Sequence, residues 1–134
     1  MPNRLRHLAT AAGALFGLLF VAAGLTVLLG LVPEQTPPPE GSPTAHFFAA
    51  FGPTGYLTFV KVLEVVGGLL VAVPRTRCLG LLVLGPIVVN ILAFHLWVAG
   101  DGVLDPMLLA ITVLPLYLLW VERRAFTALL ARSR

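Results

Sequence analysis

Charge is scarce in this chain. Of its 134 residues, 11% are Asp, Glu, Lys or Arg, against 58% hydrophobic. A soluble domain carries roughly a quarter charged residues, so nothing here solvates a globular surface, and lipid is the expected solvent for most of the chain. Cysteine is nearly missing as well, with Cys78 standing alone. One thiol excludes an internal disulfide, a CxxC redox pair and a thiolate metal cage, and with them thiol–disulfide chemistry by this chain acting alone. There is no Gly-x-Gly-x-x-Gly fingerprint, no CxxCH haem attachment and no cysteine set for an iron–sulfur cluster. Internal repeats are absent, and no stretch leaves room for a separate soluble domain.

What the chain does have is long apolar runs. Four are long enough to cross about 30 Å of hydrocarbon at about 1.5 Å per residue. They cover residues 8–32, 55–73, 78–99 and 103–121. The first follows Arg4 and Arg6 as a signal peptide would, but its apolar core far exceeds the ~7–15 residues of such a segment, so it reads as an uncleaved anchor. The net charge of +3 is not gathered into a nucleic-acid footprint. Instead, Arg4 and Arg6 precede the first run, Arg75 and Arg77 fill the PRTR turn, and Arg123, Arg124, Arg132 and Arg134 follow the last. The other two connections carry Glu34, Glu40, Asp101 and Asp105 without Lys or Arg. Positive charge stays cytoplasmic, which predicts a multi-pass membrane protein with both termini inside.

Tight turns make neighbouring spans antiparallel. The predicted fold is therefore all-α, an integral membrane four-helix antiparallel bundle forming a single domain over residues 1–134. The long first connection contains PPPEGSP, after which Ser42 or Thr44 can cap a short interfacial helix over AHFFAAF. Phe47, Phe48 and Phe51 would then lie at the outer interface, where aromatic rings are favoured. Beyond residue 121, ERRAFTALLARSR alternates Arg with Phe126, Leu129 and Leu130 and reads as an amphipathic tail on the anionic inner leaflet.

The second run carries Lys61 and Glu64 in KVLEVVGG. Two central charges cost about 6 kcal/mol on the insertion scale, and the Leu, Val and Phe of that run return about 3–7 kcal/mol, so the helix is near break-even. It cannot show these groups to lipid. Lys61, Glu64 and Gly68 share a helix stripe, and Gly67 and Gly68 allow another helix to approach closely. In the third run, Asn90 falls at roughly the depth of Glu64, about 15–18 Å, with His95 above it and Pro86 freeing the Leu82 carbonyl. Asn90 and His95 are five apart, about 140° on an ideal helix, and only a kink would turn both toward Glu64. Tyr56 and Trp97 would frame the outer mouth. Intramembrane ionisable groups point to function, which makes Lys61, Glu64, Asn90 and His95 the candidate polar site. The plainer alternative is a register-fixing ion pair with Asn90 as an interhelical partner and His95 as a structural histidine. His46, His95 and Glu64 have no metal-ligand spacing between them, so no metal is expected. Gly13 and Gly17 in GALFG match a helix-packing pattern, and Cys78 reads as an inert interfacial residue.

PEQTPPPEGSP, then AFGPTGYLTFVKVLEVVGGLL, then LGPIVVNILAFHLWV together resemble the DoxX family of small bacterial membrane proteins. The resemblance covers nearly the whole chain. Its specific parts are K-x-x-E-x-x-x-G at Lys61, Glu64 and Gly68, and P-I-x-x-N-I-x-x-F-H ending at His95. It implies an accessory or quinone-interacting subunit of a membrane-associated redox system, some relatives joining assemblies that handle thiol and oxidative stress. If electrons pass here, the carrier belongs to a partner or is a bound quinone. A soluble oxidoreductase is the implied partner beside the lipid bilayer, and a homo-oligomer is open; nucleic acid is not expected. Two other readings remain, a small proton-coupled transporter and a purely structural scaffold. No enzyme activity is assigned to the isolated chain.

Overall fold

The computed structural model describes residues 2–131, in which every regular element is helical. Helix α1 spans Asn3–Leu28, α2 Pro43–Phe51, α3 Tyr56–Ala72, α4 Arg77–Ala93 and α5 Pro106–Ala131; α4 runs on into a π-helical segment, Phe94–Ala99. Three of these (α1, α4 with its π-helical end, and α5) are long and apolar enough to cross a membrane. At 17 residues, α3 rises only about 25 Å, and α2 meets it at an 88° bend. Among the described residues there are therefore three candidate spans, or four if that bent pair is counted as one.

Local chemistry sets the boundaries. α1 stops at Leu28, short of residue 32, because Gly30 adopts φ +66°. The Gly30 amide then donates to the Val27 carbonyl at 3.1 Å and the Leu31 amide to the Thr26 carbonyl at 2.8 Å, the closure that ends helices through a left-handed glycine. Ser42, rather than Thr44, caps α2 by accepting from the Ala45 amide at 3.2 Å, with Pro43 at the first helical position. Thr44 instead donates to the Val98 carbonyl at 3.3 Å, tying α2 to the π-helical segment. Asp105 opens α5 by accepting from the Met107 and Leu108 amides at 2.8 and 3.3 Å, with Pro106 next.

The C-terminal segment corrects the sequence reading. No break separates a span from a tail: α5 continues unbroken from Pro106 to Ala131, and Phe126 is half-buried against the core. Arg123 bridges the two halves, donating to the Trp120 carbonyl at 2.6 Å with its guanidinium 4.7 Å from the indole centroid. Arg132 and Arg134, used above for orientation, lie outside the described residues.

Each long helix packs chiefly on two others, α1 on α3 and α5, and α4 on α3 and α5. The α1–α3 contact is close because glycine faces glycine. A Cβ at Gly68 would stand 2.7 Å from the Gly17 carbonyl oxygen, and one at Gly17 would strike the Gly68 carbonyl and lie 2.9 Å from the Ala72 Cβ. Gly13 and Gly17 thus serve packing within the chain. Phe16, Phe20, Val71, Leu84 and Leu118 fill the centre, while Leu18, Val89, Leu116 and other large apolar side chains remain exposed around the outside. An apolar exterior over apolar helices is consistent with a membrane protein.

Candidate functional site

α3 carries the pair. The Lys61 ammonium donates to both carboxylate oxygens of Glu64, each at 2.9 Å, as three-residue spacing on a helix permits. Glu64 is 2% exposed, whereas the Lys61 side chain keeps 27%. Neighbouring helices close over the pair where side chains are smallest. A Cβ at Gly24 of α1 would come 3.0 Å from the Lys61 carbonyl, and one at Gly67 would meet Leu84 of α4 at 2.7 Å. A buried ion pair adds little net stability, but removing one partner typically costs about 3–5 kcal/mol because the other charge is stranded.

Lys61 and Glu64 line a cavity of about 220 Å³. Its remaining walls are apolar apart from His95: Leu19, Phe20 and Ala23 from α1, Ile91 from α4, and Met107, Leu108 and Ile111 from α5. Lysine has three N–H donors. Glu64 engages two of its directions, so one donor remains for a ligand's acceptor.

His95 belongs to two cavities. It lines the one just described and a second, of about 500 Å³, shared with Asp101 and Asp105. Its Nδ1 lies 2.8 Å from the Asp101 carboxylate. Asp101 reaches back because the glycines on either side, Gly100 and Gly102, take φ of +70° and +80° and fold the loop onto the π-helical segment. Nδ1 is the ring nitrogen engaged by Asp101, and Nε2 is the other polar atom of the ring. Asp101 is a site residue that sequence spacing did not reveal, since it entered only as an outer-loop charge.

Three expectations about the site change. Asn90 is exposed, on one stripe of α4 with Leu82 and Pro86, which are also exposed. The proline and its freed carbonyl therefore sit on the side away from Glu64, and the helix does not swing Asn90 inward. Trp97 is 77% exposed and lines neither cavity, because it is turned outward on the π-helical segment. Tyr56 packs on Phe51, ring centroids 5.0 Å apart, and stays outside as well. The neighbouring cavity is lined by His95, Asp101 and Met107 instead.

At the other end of α3 lies a second polar cluster. Arg77 is 3% exposed and donates through Nη1 to Glu122 of α5 at 3.2 Å. The Cys78 thiol lies 3.9 Å from the other Glu122 oxygen, so Cys78 is part of a polar contact rather than an isolated interfacial thiol. Nε and Nη2 of Arg77 are buried without a partner among the described residues. An unpaired buried donor costs about 1–3 kcal/mol.

No family model matches the chain, and no solved structure does. Over 111 residues it is 32% identical to the uncharacterized protein YwoB of Bacillus subtilis (strain 168), an alignment covering 80% of this chain and 71% of that protein. At that identity and coverage, the chain belongs to the same family as YwoB.

Proposed function

We propose that the chain is a DoxX-like inner-membrane protein, an accessory or quinone-interacting subunit of a membrane-associated redox system. In this reading it is a four-helix antiparallel bundle with both termini cytoplasmic. The observation that carries the proposal is the buried Lys61–Glu64 pair on the wall of an otherwise apolar cavity that His95 shares with an outer one. A register staple alone would need no cavity beside it.

The residues suit a quinone head group. About 220 Å³ is below the ~300–1,000 Å³ of pockets for drug-sized ligands, and so fits a single ring whose isoprenoid tail lies among the exposed apolar side chains. The remaining Lys61 donor would hold a ring carbonyl, with Phe20, Ile91 and Ile111 against the ring faces. A bound quinone supplies two-electron carrier chemistry, with electrons delivered by a soluble oxidoreductase partner. Glu64 and His95 are the groups able to exchange protons at the cavity. Asn90, an amide on an apolar exposed face, supports association with a second copy, where an interhelical hydrogen bond would satisfy it.

The test is extraction. Protein purified in mild detergent should yield stoichiometric quinone in its lipid extract, and the Lys61→Met/Glu64→Gln double variant should yield far less. Equal quinone in both, or none in either, would remove the reading.

A further inference from the structure

Near the PRTR turn, about 18 Å along α3 from Lys61, α1, α4 and α5 enclose a cleft of about 340 Å³ whose polar lining is Arg6, Thr10, Arg77 and Glu122. We propose that this cleft binds a phosphate-bearing anion through Arg77 and Arg6. The inference is independent of the quinone reading.

Two guanidinium groups line the cleft against one carboxylate, so one positive charge is left over. Thr10 contributes no donor, because its hydroxyl already donates to the Arg6 carbonyl at 2.9 Å. The distinguishing feature is Arg77 itself. It is 97% buried, yet Glu122 engages only Nη1. The Nε–Nη2 edge, the side of a guanidinium that grips phosphate or carboxylate with two parallel bonds, has no partner among the described residues. Gly13 makes room for this arrangement, since a Cβ there would lie 3.0 Å from Nε and 3.2 Å from Nη2. Both nitrogens are sealed from solvent, so an anion entering the cleft would be met by rotation of the guanidinium away from the Gly13 notch. Glu122 is then the internal anion with which the ligand competes.

A phosphate group of this kind can arrive on an anionic lipid, whose head group lies beside the exposed apolar helices, or as free inorganic phosphate. Thermal unfolding of the full chain in maltoside micelles separates the two. One arm adds short-chain phosphatidylglycerol against phosphatidylcholine, and the other adds inorganic phosphate against chloride at matched ionic strength. A rise in Tm with the lipid alone assigns the head group, and a rise with inorganic phosphate assigns the free anion. In either case Arg6→Ala, at an exposed position, should weaken the response several-fold. Arg77→Lys should abolish it, because the point charge lacks the two-pronged edge. Glu122→Gln should strengthen it several-fold by removing the competitor. No rise in either arm, or a rise of equal size in wild type, Arg6→Ala and Glu122→Gln, would overturn the proposal.

Discussion

The His95 ring stands 2.8 Å from the Asp101 carboxylate while lining the same cavity as Lys61 and Glu64. One imidazole thus lines both the cavity beside the buried ion pair and the neighbouring one that holds Asp101. Asp101 is 61% exposed, and an exposed pair contributes about 0–1 kcal/mol. Asp101→Asn and His95→Ala should therefore leave the melting temperature nearly unchanged. Both should impair whatever deletion of the gene impairs, which under the redox role proposed above is tolerance of thiol or oxidative stress. His95→Gln should fail too, since it keeps hydrogen bonding but has no ring nitrogen able to carry a proton. Full complementation by His95→Gln would end the proton-exchange role.

Lys61→Met and Glu64→Gln are unequal perturbations. Lys61→Met leaves the sealed Glu64 carboxylate unpaired and should cost about 3–5 kcal/mol. Glu64→Gln leaves an ammonium that retains some exposure and can move its head toward the opening, so the loss should be smaller. The double variant should recover most of the stability in denaturation experiments. If it also complements a deletion strain fully, the pair is a structural staple and the cavity has no ligand.

Gly17→Ala tests the α1–α3 contact. The added methyl would strike the Gly68 carbonyl and Ala72, and overpacking of this kind costs about 1–3 kcal/mol. Gly85→Ala in α4 is the control. Nothing lies within 4 Å of its Cβ position, and Ala in a helix interior is favoured over Gly by roughly 0.5–1 kcal/mol. The two melting temperatures should move in opposite directions; a neutral Gly17→Ala would mean that the two backbones are not in contact.

The proposed orientation rests on Arg placement. Reporter fusions at the PRTR turn and at the C-terminus should register as cytoplasmic, and one within PPPEGSP as periplasmic. A periplasmic C-terminus would invert the orientation.

Helix content and much of the site were legible in the residues because the signals are local. Apolar run length against bilayer thickness located the helices, and the three-residue spacing of Lys61 and Glu64 forced a pair that lipid could not accept. Ser42 and Thr44 were both candidate caps for a short helix over AHFFAAF, and the structure uses Ser42. Two features escaped for one reason each. α5 runs through residue 121 because helical hydrogen bonding ignores the change from an apolar to an amphipathic surface, and that change was the only local signal there. Asn90 was set level with Glu64 by depth, and the 140° between Asn90 and His95 left open which of the two faces the pair. The π-helical segment Phe94–Ala99 resets that angle for His95 and Trp97, and π-helix is rare enough that a regular 3.6-residue period is the natural assumption. The pairing of Arg77 with Glu122 and of His95 with Asp101 was likewise decided by tertiary structure. The first joins α4 to α5, and the second needs two left-handed glycines to fold a loop back, and neither is expressed in any spacing along the chain.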